Sequence, residues 1–209
     1  MFSEEDKESA NLVNHIAVTG LANICLEVDC WLFHVSTDYV FDGTSLNPYK
    51  ENDQANPQGV YGLSKLMGEK SLHSSGCKYL IFRIAWVFSE YGNNFLKTML
   101  NLGMVHEELK IVDDQIGCPT DAQEIASAMV RVIPCIEKEQ LTSGIYNFCS
   151  DIPCSWYEFA KEIFKVADEL GLPTPNKIHP ISSSEFPTKA KRPKYSVLDC
   201  SKIYDKFKI

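Results

Sequence analysis

The sequence predicts an α/β fold whose sheet is mostly parallel, and three observations lead to this prediction. Short apolar runs of strand length alternate with longer segments in which apolar residues recur every three or four positions. Such alternation is typical of strands joined by crossover helices, which makes neighbouring strands parallel. The runs are apolar almost throughout, as expected of strands buried on both faces. With 44% hydrophobic and 23% charged residues, the composition is that of an ordinary globular chain.

The first half of the chain divides into four predicted elements and a loop. Residues 4–27 have helical periodicity, and the apolar run Trp31–Ser36 is predicted to be a buried strand that ends in polar residues. Residues 44–59 are rich in Pro, Asn, Asp and Gly, which predicts a loop. A second helix is predicted over residues 60–75 and a second strand over residues 79–88.

The second half of the chain is less regular. Its predicted elements are a helix, a strand, a helix, a strand and a helix, over residues 93–104, 109–112, 121–136, 144–148 and 155–170. The last helix has the clearest start, because Ser155 and Glu158 have the spacing of a capping box. Residues 173–194 are rich in proline and serine and are predicted to be irregular, with a short helix after Asp199.

Charge, hydropathy and cysteine content exclude several classes of protein. Twenty basic residues against 28 acidic ones give a net charge of −8, which argues against a nucleic-acid partner. No apolar run approaches the roughly 20 residues that cross a bilayer, and the acidic N-terminus does not resemble a signal peptide. We therefore expect a soluble, cytoplasmic protein without a membrane partner. The eight cysteines lack zinc-site spacing, so we expect mostly buried free thiols and no bound metal.

The clearest chemical motif is Tyr61-Gly-Leu-Ser-Lys65, near the start of the second predicted helix. Side chains four residues apart share one helical face. A phenol has an ordinary pKa of about 10, and a neighbouring ammonium would lower that pKa towards the range needed for general acid–base catalysis. By itself the pair is weak evidence, because many helices carry this spacing by chance.

A second polar cluster, Ser36-Thr37-Asp38, ends the first predicted strand. Ligands of open α/β sheets bind at the carboxyl ends of the strands, so these hydroxyl and carboxylate groups are candidate ligand contacts. The alternative is that Thr37 and Asp38 only cap the turn that follows. The residues alone leave both interpretations open.

Together with their neighbours, these segments resemble the extended short-chain dehydrogenases, and among them the dTDP-4-dehydrorhamnose reductases. The matching segments run in the family's order: Ser36–Gly43, Tyr61–Glu69, Phe82–Phe88, Gly92–Lys97, Asp113–Thr120 and Arg192-Pro193. The resemblance implies reduction of dTDP-4-dehydro-L-rhamnose to dTDP-L-rhamnose, with NADPH or NADH, for polysaccharide biosynthesis. It also implies the C-terminal part of a Rossmann-like, NAD(P)-binding sheet over residues 1–106. A small substrate-binding lobe would occupy residues 107–209, with the strand over 144–148 as a candidate to return to the sheet.

The resemblance assigns roles to individual residues. Tyr61 would donate the proton to the C4 oxygen of the sugar, and Lys65 would lower the pKa of that phenol and hold the nicotinamide ribose. Thr37 would hydrogen-bond the substrate carbonyl, and Val35 would join Tyr61 and Lys65 in binding the cofactor. The implied contacts of the dTDP-sugar are Thr37, Asp38, Trp86, Asn94, Gln115 and Arg192. The charge of Arg192 suits a diphosphate.

Two observations limit what the resemblance implies. Trp86 ends a predicted buried strand, so the less favoured alternative is a plain core residue. The family's Gly-x-x-Gly-x-x-Gly turn, whose following helix holds the cofactor pyrophosphate, does not occur in these 209 residues. We therefore expect the chain alone to bind NADPH poorly.

The absent turn leaves three explanations open. The chain could be a mis-started gene product, one half of a split enzyme that needs a separate N-terminal half, or a non-catalytic relative. For the last explanation, the precedent on this fold is the regulatory beta subunit of methionine adenosyltransferase. A homodimer is also left open.

Overall fold

The computed structural model describes residues 2–137 and 141–209 and shows helices alternating with strands. The helices are α1 (Lys7–Asn11), α2 (Ala17–Glu27), α3 (Val60–Ser74), α4 (Phe95–Gly103), α5 (Ala122–Glu137), α6 (Trp156–Glu169) and α7 (Ser201–Phe207). The strands are β1 (Trp31–Thr37), β2 (Lys78–Ile84), β3 (Val87–Phe88), β4 (Glu108–Val112), β5 (Ile116–Gly117), β6 (Thr120–Asp121), β7 (Gly144–Asn147), β8 (Cys154–Ser155) and β9 (Lys177–Ile181).

A parallel sheet with the strand order β1-β2-β7 forms the centre of the fold. The connections pass through α3 and α5, and such crossovers keep the strands parallel. On one face of the sheet, Ile81 packs with residues of α2 and α3, and on the other face Phe82 packs with residues of α5 and α7. The α/β class predicted from the sequence is therefore confirmed.

The two longer strands differ in burial. In β2, Leu80, Ile81 and Phe82 are fully buried, as predicted for a strand covered on both faces. In β1, the side chains at 31–34 are only half-buried and Val35 is exposed. Because β1 is the edge strand of the described sheet, one of its long sides has no strand neighbour among the described residues.

The prediction of one continuous strand over 79–88 is wrong, because the strand is interrupted at residues 85 and 86. β2 ends at Ile84, and Trp86 has a φ of 43°, in the left-handed region that bulky residues rarely adopt. The turn redirects the chain, so that β3 pairs with β6 instead of extending β2. The Trp86 carbonyl accepts a hydrogen bond from the Thr120 amide at 3.2 Å.

The C-terminal part contains four strands that the sequence did not predict, β5, β6, β8 and β9, of which β9 is the longest. Residues 177–181, expected to be irregular, form β9 and pair in parallel with β4. The pair lies beside α6, which also packs against α4. Pro180 within β9 weakens the strand signal in the sequence, which explains the wrong prediction. A short antiparallel pair, β5 with β8, completes this region.

The predicted helices are present: α3 starts at Val60 as predicted, and four others start one to three residues later than predicted. The first begins at Lys7, where the Asp6 carboxylate accepts from the Ser9 amide, and it contains a π-helical turn over Leu12–Ile16. The capping box of α6 is formed as predicted by Ser155 and Glu158.

The thiols are free, and five of the eight are buried, while Cys30 is exposed. Among the residues that the structure describes, no group of three or more His, Cys, Asp or Glu side chains is arranged to hold a metal ion. No helix in those ranges is both long and apolar enough to cross a membrane.

Candidate active site

The carboxyl end of β1 and the first turns of α3 bring four predicted site residues together: Thr37, Asp38, Tyr61 and Lys65. We call this group the tyrosine cluster. The close approach depends on Gly62, because a Cβ there would lie 2.1 Å from the Tyr39 carbonyl oxygen. A larger residue at this position would push Tyr61 away from the end of β1.

The start of α3 is capped by a residue from outside the helix. Its N-cap, Gly59, has no side chain to accept from the first amides. The Glu4 carboxylate accepts from the amides of Val60 at 2.8 Å and Tyr61 at 3.4 Å instead. Nothing local in the sequence indicates this contact, because the partners are 56 and 57 residues apart.

Asp38 is an enclosed carboxylate within the tyrosine cluster. One oxygen accepts from the Thr37 hydroxyl at 3.0 Å, and the other, Oδ2, has no hydrogen-bond partner among the described residues. Burial raises the pKa of Asp38 to about 7, although the hydroxyls of Ser196 and Thr37 favour the ionised form. Desolvation outweighs these hydroxyls because the carboxyl is shut off from water.

The Tyr61 phenol is held in its protonated form. Burial raises the pKa of Tyr61, and the neighbouring Asp38 raises it further, while the Thr37 hydroxyl acts in the opposite direction. The sequence predicted that Lys65 would lower this pKa. In the structure burial is the largest influence on this pKa, and the groups that act beside it are Thr37 and Asp38.

Lys65 donates a hydrogen bond to the Val35 carbonyl oxygen at 2.5 Å. Burial lowers the pKa of Lys65, and the Glu69 carboxylate one turn further along α3 opposes that shift. An ammonium group has three N–H donors, so two remain for a ligand. Val35, predicted to bind the cofactor, therefore lies directly at this ammonium.

A buried ion pair, which no pattern in the sequence predicted, fixes α3 to the sheet. The Arg83 guanidinium donates to both oxygens of Glu69, at 3.0 and 2.6 Å, and the Ser36 hydroxyl donates to the same carboxylate. Both charged side chains are only 3% exposed. A bidentate pair of this kind is geometrically specific, so it fixes the rotation of the helix that carries Tyr61.

A second group, the tryptophan cluster, consists of Trp86, Gln115, Trp156 and Arg192. The two indole rings are stacked, with centroids 3.4 Å apart and planes 2° apart. The Trp156 Nε1 donates to the Gln115 Oε1 at 3.2 Å, and the Arg192 Cζ lies 5.8 Å from the Trp156 ring centroid. Trp156 was not predicted from the sequence; its only local signal is its place after the Ser155 cap.

Arg192 has an unsatisfied donor. Its Nε is buried and has no hydrogen-bond partner among the described residues. The neighbouring Pro193 lines a small pocket together with Tyr39 and Tyr61. Residues 192–193 therefore lie between the two clusters, with Arg192 beside Trp156 and Pro193 beside Tyr61.

Asn94, predicted to contact substrate, has a capping role in the structure. Its Oδ1 accepts from the Lys97 amide at 3.1 Å, and its Nδ2 donates to the Ser89 carbonyl at 2.6 Å. These bonds hold the start of α4. A substrate contact by Asn94 stays a prediction.

The residues present fit one end of a dinucleotide cofactor. The two free N–H donors of Lys65, beside the Tyr61 phenol, suit the hydroxyls of a nicotinamide ribose. A glycine-rich turn for the pyrophosphate does not occur in the sequence. The tyrosine cluster could therefore hold the nicotinamide end only.

The chain is similar to one protein family over nearly its whole length. The family described as the RmlD substrate binding domain matches residues 2–209. Over 206 residues the chain is 38% identical to the dTDP-4-dehydrorhamnose reductase of Escherichia coli strain K12, which covers 98% of this chain and 69% of that protein.

Two solved structures have the same fold. A dTDP-4-dehydrorhamnose reductase from Clostridium acetobutylicum matches with a TM-score of 0.87 and 41% identity, covering 97% of this chain and 68% of the other. The reductase from Bacillus anthracis, solved in complex with NADP, matches with a TM-score of 0.85 and 35% identity over the same shares.

Proposed function

The chain belongs to the dTDP-4-dehydrorhamnose reductase family, and from this premise we propose that it reduces dTDP-4-dehydro-L-rhamnose to dTDP-L-rhamnose with NADPH. The observation that carries the proposal is the placement of Thr37, Tyr61 and Lys65 at the carboxyl end of one parallel strand. This is the edge at which open α/β sheets bind their ligands.

Reduction of a ketone needs a hydride at carbon and a proton at oxygen. The hydride is the chemistry that NADPH supplies when it is bound. The proton comes from the Tyr61 phenol, whose raised pKa keeps it protonated at neutral pH. The Thr37 hydroxyl, which favours the ionised phenol, stabilises Tyr61 after it has given up the proton.

The Lys65 ammonium has two roles in this proposal. It holds the nicotinamide ribose with the donors that Val35 does not use. Its positive charge also stabilises the phenolate that remains once the proton has left Tyr61. Both roles need the ammonium near Tyr61, and the shared face of α3 provides that.

The tryptophan cluster would hold the nucleotide sugar. Trp86 offers a flat apolar surface, and Arg192 offers a buried N–H donor without a partner. A guanidinium suits a diphosphate because its N–H groups match the spacing of phosphate oxygens. The buried side chains of Asp38 and Gln115 would add polar contacts to the nucleotide sugar.

A non-catalytic regulatory subunit on the same fold is not favoured, because the relatives compared above are named as reductases. The test is an assay with NADPH and the keto-sugar nucleotide, in which cofactor oxidation and the mass of the product are both followed. The 209-residue chain is assayed in parallel with the same chain fused behind the N-terminal segment of a relative. Formation of dTDP-L-rhamnose supports the proposal, and absence of product in both forms contradicts it.

A further inference from the structure

The backbone at Trp86 is unusual for a tryptophan. A φ of 43° places it in the left-handed region, which bulky side chains rarely adopt unless the surroundings hold them there. Two neighbouring residues hold Trp86 in this conformation. The ring lies against Gly117, where an added Cβ would be 2.3 Å from the Trp86 Cε2, and it stacks face to face on Trp156.

Trp156 is itself firmly held. It is the first residue of α6, directly after the Ser155 N-cap, and the Ser155 hydroxyl also donates to Asp113 at 2.5 Å. The Trp156 indole donates to Gln115 and packs against Phe95 with ring centroids 4.6 Å apart. The ring that supports Trp86 is therefore fixed by a helix cap, a hydrogen bond and a second aromatic contact.

We propose that Trp156 is a positioning residue for the substrate: its stacked ring fixes the Trp86 indole in the orientation that receives the nucleotide sugar. The role in binding rests on the proposed function, whereas the fixing of Trp86 does not. Trp86 is only half-buried, so part of its ring remains open to a ligand. Besides the stack on Trp156, the Trp86 side chain contacts Gly117 and packs at the edge of the hydrophobic core, and the stack is the contact that covers its ring face to face.

The three tryptophans of the chain make the proposal measurable in the intact protein. Trp31 lies at the amino end of β1, paired with Lys78, at the opposite end of the sheet from Trp86. Two indoles in stacked contact couple their strong electronic transitions and give a paired band of opposite signs in far-ultraviolet circular dichroism. We expect Trp156→Leu and Trp86→Phe to lose this band, and the control Trp31→Phe to keep it.

The second readout is the mobility of Trp86. In a Trp31→Phe background, Trp156→Leu leaves Trp86 as the sole tryptophan, and with excitation selective for tryptophan we expect fast depolarisation and strong quenching by acrylamide. Trp156→Phe should restrict the ring again, because a phenyl group can still stack. Thermal unfolding of each variant shows whether the fold has survived.

The consequence for binding is a change in KM rather than in kcat. Aromatic pairs contribute about 0.5–1.5 kcal/mol beyond their buried area, which corresponds to a roughly two- to tenfold rise in the KM for the keto-sugar nucleotide in Trp156→Leu. Turnover and the KM for NADPH should stay unchanged, and Trp156→Phe should restore most of the lost affinity. An unchanged KM, or a loss confined to kcat, would overturn the positioning role.

The spectroscopic and kinetic results separate this inference from the proposed function. If neither the 209-residue chain nor the fused form reduces the keto-sugar, the proposed function fails, and circular dichroism with quenching still decides whether Trp156 fixes Trp86. A retained coupling band in Trp156→Leu, or equal quenching of Trp86 with and without Trp156, overturns the inference even where activity is present.

Discussion

The tyrosine cluster and the tryptophan cluster are assembled in different ways. Thr37, Asp38, Tyr61 and Lys65 come from one strand end and one helix, and their side chains interact through hydroxyl, carboxyl and ammonium groups. The tryptophan cluster draws its members from four separated segments and is held mainly by ring stacking. Proton transfer needs hydrogen-bond distances on rigid elements, whereas holding a sugar nucleotide needs a surface. The comparison therefore assigns chemistry to one cluster and binding to the other.

The largest effect should come from removing the phenol of the tyrosine cluster. Tyr61→Phe keeps the ring and its packing and removes the proton, and the loss of a general acid typically costs about 10²–10⁴ in rate. We expect kcat to fall by that factor in steady-state assays. Tyr39→Phe is the matched control, because its ring packs edge-on against Tyr61 with centroids 6.0 Å apart. Equal losses in the two variants would show that Tyr61 is not the acid.

Removing the cation of the tryptophan cluster should weaken substrate binding instead. A hydrogen bond to a charged group contributes about 1.5–3 kcal/mol, so Arg192→Leu should weaken dTDP binding by roughly 10- to 100-fold. Calorimetric titration with dTDP measures this directly. The exposed Lys194 supplies the control variant Lys194→Leu. If both variants bind dTDP equally well, Arg192 does not contact the diphosphate.

Lys65→Met tests the double role of the ammonium. We expect turnover to fall and the affinity for NADPH to fall by about tenfold, because the lost donors each contribute on the order of 1 kcal/mol. The exposed Lys70, also on α3, is the control position, as Lys70→Met. A variant that loses turnover but keeps its cofactor affinity would contradict the ribose contact.

The affinity for NADPH also tests whether the absence of a glycine-rich turn from residues 1–209 weakens cofactor binding. We expect residues 1–209 to bind NADPH weakly, because neither cluster offers the backbone amides that hold a pyrophosphate. Fusing the N-terminal segment of a relative ahead of Met1 should raise the affinity several-fold in a fluorescence titration. Micromolar binding by the unfused chain would show that other residues hold the phosphates.

The smallest effect should be the pH dependence of stability set by Asp38. Its pKa is about 7 in the fold against 3.8 unfolded, so the native state binds more protons and stability falls as the pH rises from about 4 to 7. His34, with a pKa lowered to about 4 by burial, acts in the opposite direction below about pH 6.5. Asp38→Asn should therefore shift the difference between the Tm at about pH 5 and the Tm at about pH 8 by roughly 5–10 °C in favour of the higher pH. If the dependence of Tm on pH were the same in Asp38→Asn as in the wild type, the Asp38 carboxyl would be exposed to water in the folded protein.

The sequence predicted the tyrosine cluster because its members are close together in the chain. Helical spacing placed Tyr61 and Lys65 on one face, and the apolar run before Thr37 located the strand end. The resemblance to a known family then supplied the roles, and the comparisons confirmed that family. The individual roles remain predictions for the assays above.

The sequence could not predict contacts between distant segments. The Glu4 cap of α3 and the stacking of Trp156 on Trp86 join residues more than 50 positions apart. The sequence also did not predict the break in the strand at Trp86. The residues around Trp86 are apolar and continue the strand pattern, whereas tertiary packing determines the φ of Trp86. Burial then decided the pKa of Tyr61, which helical spacing alone could not show.

The most direct test of separate roles for the two clusters is a double-mutant cycle between Tyr61→Phe and Arg192→Leu. The quantity measured is kcat/KM for the keto-sugar nucleotide in the wild type, both single variants and the double variant. If the tyrosine cluster transfers the proton and the tryptophan cluster holds the substrate, the two losses should multiply. A double variant no slower than Tyr61→Phe alone would contradict this division.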